Sequence, residues 1–166
     1  MTRLTIFDEG ATALAVIDDA AEIATALAGI GVRFERWPLD AHDDRVAALV
    51  ADGYTTVDTV TVAPDHPDRA AMRAKFLAEH RHAEDEIRFF KAGAGLFTLR
   101  AAGRIWAVLC TEGDMISVPA GMRHWFDMGP APRFTAMRFF RTPEGWVGDF
   151  TGDPIADRFP RYDAAA

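Results

Sequence analysis

The sequence predicts a mainly β protein with flanking helices, in which a β-barrel core carries helices drawn mostly from the N-terminal half. Three observations lead there. After residue 79 the chain breaks into short β-rich pieces, and turn residues recur roughly every 8–12 positions, the rhythm of a sandwich or barrel. Glycines at 93, 95, 103, 113, 121 and 129 supply that punctuation. The connections are too short for parallel crossovers, which need a dozen or more residues, so the pairing is expected to be antiparallel. Helix start and stop signals, by contrast, fall within residues 1–78. A length of 166 residues suits one domain, and a chain of this size buries roughly 70% of its unfolded surface without staples.

Taken in order, LTIF (4–7) reads as a short strand ended by Asp8, Glu9 and Gly10. Asp18 and Asp19 precede AAEIATALAGIG, closed by Gly29 and Gly31, which is an N-cap, a helix and a glycine stop. GVRFERW alternates Val32 and Phe34 with Arg33 and Glu35, a strand pattern ended by Pro38. Asp43 or Asp44 can cap a short helix running through Asp52, and VDTVTV (57–62) is extended. Pro67 is suited to the start of a helix reaching about Ala78. EIRFFKAGAG, LFTLRAAG, RIWAVLCTEGD, MISVPAGM, RHWFDMG and RFTAMRFFR are the expected barrel pieces, over residues 79–147. Residues 148–166 lack periodicity and are expected as an extended surface tail that frays at its end.

Composition excludes several function classes. Twenty-five acidic against 18 basic residues give a net charge of −7, which attracts neither nucleic acid nor an anionic membrane. The single cysteine, Cys110, allows no internal disulfide and fits a reducing compartment. No apolar run approaches the ~20 residues of a membrane span, and MTRLTIFDEG lacks a signal-peptide pattern. The expectation is a soluble, cytoplasmic protein, and the acidic surface favours a monomer.

Chemistry concentrates in His80-Arg-His82-Ala-Glu84-Asp-Glu86, with His124 far downstream. In a strand, residues i and i+2 share a face, so His80 and His82 would lie ~6.6 Å apart along the strand and could converge on one ion. On a helix they would diverge by ~200°. Glu86 keeps the even parity, and a barrel can bring His124 from a distant strand. Three imidazoles and a carboxylate suit a first-row divalent ion. A lone His-x-His pair often occurs without a metal, and Glu84, Asp85 and Glu86 alone would read as a solvated charge run. His42 and His66 lie in polar loops and are expected to face solvent. Cys110, in the apolar run IWAVLC, is expected to be an inert buried thiol.

HRHAEDE with Gly93 six residues beyond resembles the first motif of the cupin superfamily, although Ala74 stands where that motif has its leading glycine. Gly113, Pro119, Gly121 and His124 in GDMISVPAGMRHWFDM resemble the second motif, with Met128 in place of its final Asn. The resemblance implies a cupin-type double-stranded β-barrel, or jelly roll. Within it, His80, His82, Glu86 and His124 would bind one metal ion. EIRFFKAGAGLFTLR, DMISVPAGMRHWFDMG, AMRFFRTPEGWVGDF and WPLD (37–40) are similar, more narrowly, to the acireductone dioxygenases of methionine salvage.

That resemblance implies O2-dependent cleavage of 1,2-dihydroxy-3-keto-5-methylthiopentene on one Fe(II) or Ni(II) per chain. With Fe(II) the products would be 2-keto-4-methylthiobutyrate and formate. With Ni(II) they would be 3-methylthiopropionate, formate and carbon monoxide. Glu84, with the parity of His82 and Glu86, is the candidate base. Arg88, at i+2 from Glu86, is expected to share the cavity face and stabilise oxyanion charge, and Arg138 could do the same. Phe76, Phe126, Phe139 and Trp146 are candidates for the apolar wall around the methylthio tail. A different metal-dependent cupin isomerase or oxygenase, or a non-catalytic ligand-binding cupin, is the alternative.

Overall fold

The computed structural model describes residues 1–163; the fraying expected at the terminal alanines lies outside them. In chain order the strands and helices are β1 (Arg3–Asp8), β2 (Ala13–Ile17), α1 (Ala20–Ala28), β3 (Arg33–Arg36), α2 (Asp43–Ala51), β4 (Thr56–Val62) and α3 (Arg69–Leu77). Then follow β5 (His80–Arg81), β6 (Glu86–Ala101), β7 (Arg104–Thr111), β8 (Asp114–Val118), β9 (Arg123–Asp127), β10 (Phe134–Phe140), β11 (Asp149–Phe150) and a 3-10 turn at Pro154–Arg158. The strands join in a single antiparallel sheet folded into two layers.

The long strand β6 builds both layers. Its first half pairs with β8 and β10, and its second half pairs with β7 and β9. The expected break at Gly93 and Gly95 is therefore no turn but the place where one strand passes between layers. Gly93 has φ +71°, and a Cβ there would collide with the Arg133 carbonyl. The register with β10 slips at Thr135/Ala136, beside that crossing. A bulge and a glycine let the strand bend without ending.

The N-terminal segment contributes more than an outer covering. β1 pairs with β7, β3 with β8 and β4 with β10, so its strands complete both layers and cover edges that would otherwise be open. Ala13–Ile17, for which no element was expected, adds a further strand beside β1. Asp19 caps α1 by accepting from the amides of Ala21 and Glu22. At α2 the capping position falls to His42, whose side chain makes no capping bond, while Asp43 and Asp44 sit in the first turn. Carboxylates there still favour the helix dipole. α3 begins at Arg69, two residues beyond Pro67.

Burial follows strand alternation, with both faces covered. Between the layers lie Leu4, Phe90, Phe97, Val108, Ile116 and Phe126, closed by Ile23 and Leu27 of α1. Outside one layer, Ile87, Phe89, Met115 and Phe139 pack under Trp37, Tyr54 and Leu49 of α2. Outside the other, Ile105 and Trp125 pack on Ile155, Ala156 and Phe159. This explains why EIRFF is buried at every position and so reads as a continuous apolar run rather than an alternation. The C-terminal segment is not a surface tail: β11 pairs with β5, and Ile155 is buried against Trp125. Three apolar side chains bring enough buried area to anchor a segment without periodicity.

Candidate metal centre

His80 on β5 lies directly opposite His124 on β9 in the ladder, and their ring centroids are 4.5 Å apart. His82 follows just past β5, with its ring 5.2 Å from each of the other two. One ligating atom from each of the three imidazoles lies within 4.8 Å of the others. Glu86, the first residue of β6, is buried, and its Oε2 sits 2.9 Å from His82 Nε2 and 3.2 Å from His124 Nε2. Arg88 Nε donates to the other oxygen, Oε1, at 2.7 Å. The extended reading of His80 and His82 and the parity of Glu86 and Arg88 therefore agree with the fold.

The hydrogen bonds around the rings decide what the cluster can hold. His80 Nδ1 lies 2.7 Å from the Ala78 carbonyl, His82 Nδ1 3.0 Å from that of Val147, and His124 Nδ1 2.9 Å from that of Met122. A carbonyl oxygen only accepts, so each Nδ1 carries the proton and each neutral ring keeps its lone pair on Nε2. Two of those lone pairs face Glu86 Oε2, itself an acceptor. A cation among them relieves that opposition, so this donor set fits a divalent metal ion.

Electrostatics agree. Burial, helped by the neighbouring His124, pulls His80 down to about 4, so its ring is neutral and free to coordinate at pH 7. Burial also opposes charge on His82, but the hydrogen bond and charge of Glu86 outweigh it and the net shift is upward, so without an ion this ring tends to hold a second proton on Nε2 that a metal would displace. Burial would raise the Glu86 carboxyl, yet Arg88, His124 and His82 together hold it well below the usual carboxylate range.

The cluster opens into a cavity of about 300 Å³. Arg88 lines it, with its guanidinium carbon 4.9 Å from the ring centre of Phe126 and 5.2 Å from that of Phe97. Arg138 also lines it and is paired with Asp58, donating from Nε at 2.9 Å. Phe76 and the half-exposed Trp146 line it as expected.

Three expected site residues stand elsewhere. Phe126 is buried beneath Arg88, among the rings between the layers. Phe139 has the outward parity of β10 and packs on Trp37, with ring centroids 6.4 Å apart. Its neighbour Phe140 takes the inward place with Arg138. Glu84 does not line the cavity: the 83–85 segment is not a strand, so parity fails there. Its Oε1 accepts from the amides of Arg141 (2.5 Å) and Thr142 (3.2 Å), and its Oε2 from the Thr142 hydroxyl (3.0 Å).

Lys75, Phe140, Gly148 and Phe150 complete the lining without having been expected. Parity with Arg138 could have found Phe140; the others come from α3 and the segment after β10, which no spacing rule connects to the histidines. His42 is half-buried rather than solvent-facing, its ring 5.0 Å from that of Phe89, and His66 is also half-buried. Cys110 is fully buried, and burial pushes its thiol well up.

Comparison with known proteins agrees with this geometry. The model of the ARD/ARD' family matches residues 3–148. The chain is 54% identical to an acireductone dioxygenase of Synechococcus sp., over 96% of this chain and 98% of that one. It is 51% identical to the acireductone dioxygenase of Parvibaculum lavamentivorans, over 99% and 98% of the respective chains. A solved acireductone dioxygenase from Bacillus anthracis, with a cadmium ion in its active center, superposes with a TM-score of 0.82 at 25% identity, covering 90% of this chain and 98% of that one. With a match over most of its length and a metal-compatible cluster at the mouth of its barrel, the chain belongs to the ARD/ARD' family.

Proposed function

We propose that the chain is a metal-dependent dioxygenase that cleaves acireductone with O2, and that His80, His82, Glu86 and His124 hold one Fe(II) or Ni(II). The observation that carries the metal assignment is the set of three Nδ1 bonds to backbone carbonyls, which leaves the three neutral imidazoles, clustered within 4.8 Å, with Nε2 lone pairs and a Glu86 oxygen beside two of them. When bound, the ion supplies Lewis acidity toward a chelating enediol.

The protein's own groups do the rest. Acireductone is an enediol conjugated to a ketone, a vinylogous acid, so its anion forms easily. Arg88 presents a buried guanidinium to that anion while its Nε holds Glu86 Oε1, an arrangement that stabilises charge without reorganisation. Arg138, held by Asp58, adds a second cation. Phe76, Phe140 and Trp146 offer an apolar wall for the methylthio tail and shield the reacting carbons from water. We place the protein in the cytoplasm as a monomer, in keeping with its acidic surface and its one buried thiol.

The test is oxygen uptake with synthetic acireductone after separate reconstitution with Fe(II) and Ni(II). Keto acid and formate are expected with iron, and carbon monoxide, formate and 3-methylthiopropionate with nickel. Oxygen uptake no faster than in protein-free solution refutes the assignment.

A further inference from the structure

Residues 141–151 run back along residues 79–84, the segment that bears His80 and His82. At one end Glu84 accepts from the Arg141 and Thr142 amides and the Thr142 hydroxyl. In the middle the Val147 carbonyl accepts from His82 Nδ1 at 3.0 Å. Next, Arg81 pairs with Asp149 at 2.9 Å, and Phe150 pairs with His80 in the ladder. At the far end the Thr151 amide donates to the Glu79 carbonyl at 3.1 Å, and its hydroxyl to the Glu79 carboxylate at 2.7 Å. The strap also carries Trp146 at the cavity mouth. Gly145 makes the clasp sterically possible, because a Cβ there would overlap the Glu84 carboxylate.

We propose that Glu84 is a positioning residue, whose carboxylate clasps the 141–151 strap so that Val147 orients the His82 imidazole and Trp146 walls the cavity. Three donors occupy its oxygens, and it does not face the reacting atoms. Its action reaches the metal through two covalent stretches of backbone, 82–84 and 142–147. The inference rests on the metal-centre reading given above. It separates two roles that the sequence position alone cannot: a proton acceptor needs an ionisable carboxylate, whereas a clasp needs only acceptors of the right shape.

Glutamine keeps an oxygen for the two amides and cannot act as a base, and alanine removes the clasp. The experiment compares wild type, Glu84→Gln, Glu84→Ala and Gly145→Ala as metal-loaded proteins. Four quantities are read: metal release to a chelator, acrylamide quenching of tryptophan fluorescence, and kcat and KM with acireductone. Trp37, Trp106 and Trp125 are buried, so added quenching reports Trp146. Glu84→Ala and Gly145→Ala are expected to release metal about 10-fold faster or more, the usual effect of losing support behind a ligand. Both should quench more strongly and raise KM more than they lower kcat. Glu84→Gln should stay within about threefold of wild type, since most of its hydrogen bonding survives. If Glu84→Gln and Glu84→Ala lose kcat equally, with wild-type metal release and quenching, Glu84 is a proton acceptor and the proposal falls. Should Glu84→Ala fail to fold, Thr142→Val decides by the same readouts: a smaller shift in the same direction supports the clasp, and no shift overturns it. A wild-type protein inactive on acireductone would refute the dioxygenase reading, while metal release and quenching would still decide the strap.

Discussion

Replacing Arg88 by methionine isolates the charge that faces Glu86. Methionine keeps most of the length and the packing over Phe97 and Phe126, but it leaves the fully buried Glu86 without the guanidinium 2.7 Å from Oε1. Removing one partner of a buried pair costs about 3–5 kcal/mol, because an uncompensated charge remains. For a domain of this size each kcal/mol moves Tm by about 2–4 °C, so metal-free Arg88→Met should melt roughly 6–20 °C below wild type. A metal ion against Oε2 would supply part of the missing compensation, so the loss should shrink to about half when both proteins are loaded. Urea and thermal unfolding of stripped and loaded protein measure both quantities. A metal-free loss under about 1 kcal/mol would mean that the pair is not electrostatically strained. An equal loss with and without metal would refute the claim that guanidinium and ion share one carboxylate.

Burial works against ionisation of Asp127, but Arg73 and the amides of Gly129 and Tyr162 outweigh it and lower its carboxyl below 3.8. A lowered folded-state value means stability that is present above the unfolded value and lost as pH falls through the folded one. Urea unfolding from pH 6 down to about 3 should therefore show a steeper decline for wild type than for Asp127→Asn, and parallel curves would contradict the assignment. Phe139→Ala should cost about 3–5 kcal/mol through a cavity beside Trp37 while leaving KM nearly unchanged. Phe140→Ala should raise KM for acireductone several-fold; a reversed pattern in chemical denaturation and kinetics would show that the parity of β10 is wrong. Cys110 is buried with its thiol pushed up, so a thiol reagent should modify it at the rate of global unfolding, and fast labelling of native protein would count against that burial.

Much of the site was legible because a strand imposes a period of two on its side chains. His80 and His82 share a face on that rule, and Glu86 and Arg88 share one again at the start of β6. The same rule failed at Glu84, where the chain leaves the strand and hydrogen bonds to 141–142 turn the carboxylate away. It could not choose between Phe139 and Phe140, since a sheet covered on both sides accepts an apolar residue at either parity. Glycine read locally as a turn at Gly93, whereas the approach of the Arg133 backbone makes it a bend in one continuous strand.

Local periodicity pointed to the antiparallel sheet, and the resemblance carried by the motifs pointed to the family and to the three histidines that the fold brings together. Only the tertiary structure decided which carbonyls accept from the imidazoles and so keep the proton on Nδ1, which aromatic rings reach the cavity and where the C-terminal segment docks. These depend on contacts between residues far apart in the chain, such as Val147 with His82 or Trp125 with Phe159. Such contacts are set by packing and by the satisfaction of buried polar groups, and neither leaves a fixed interval in the sequence.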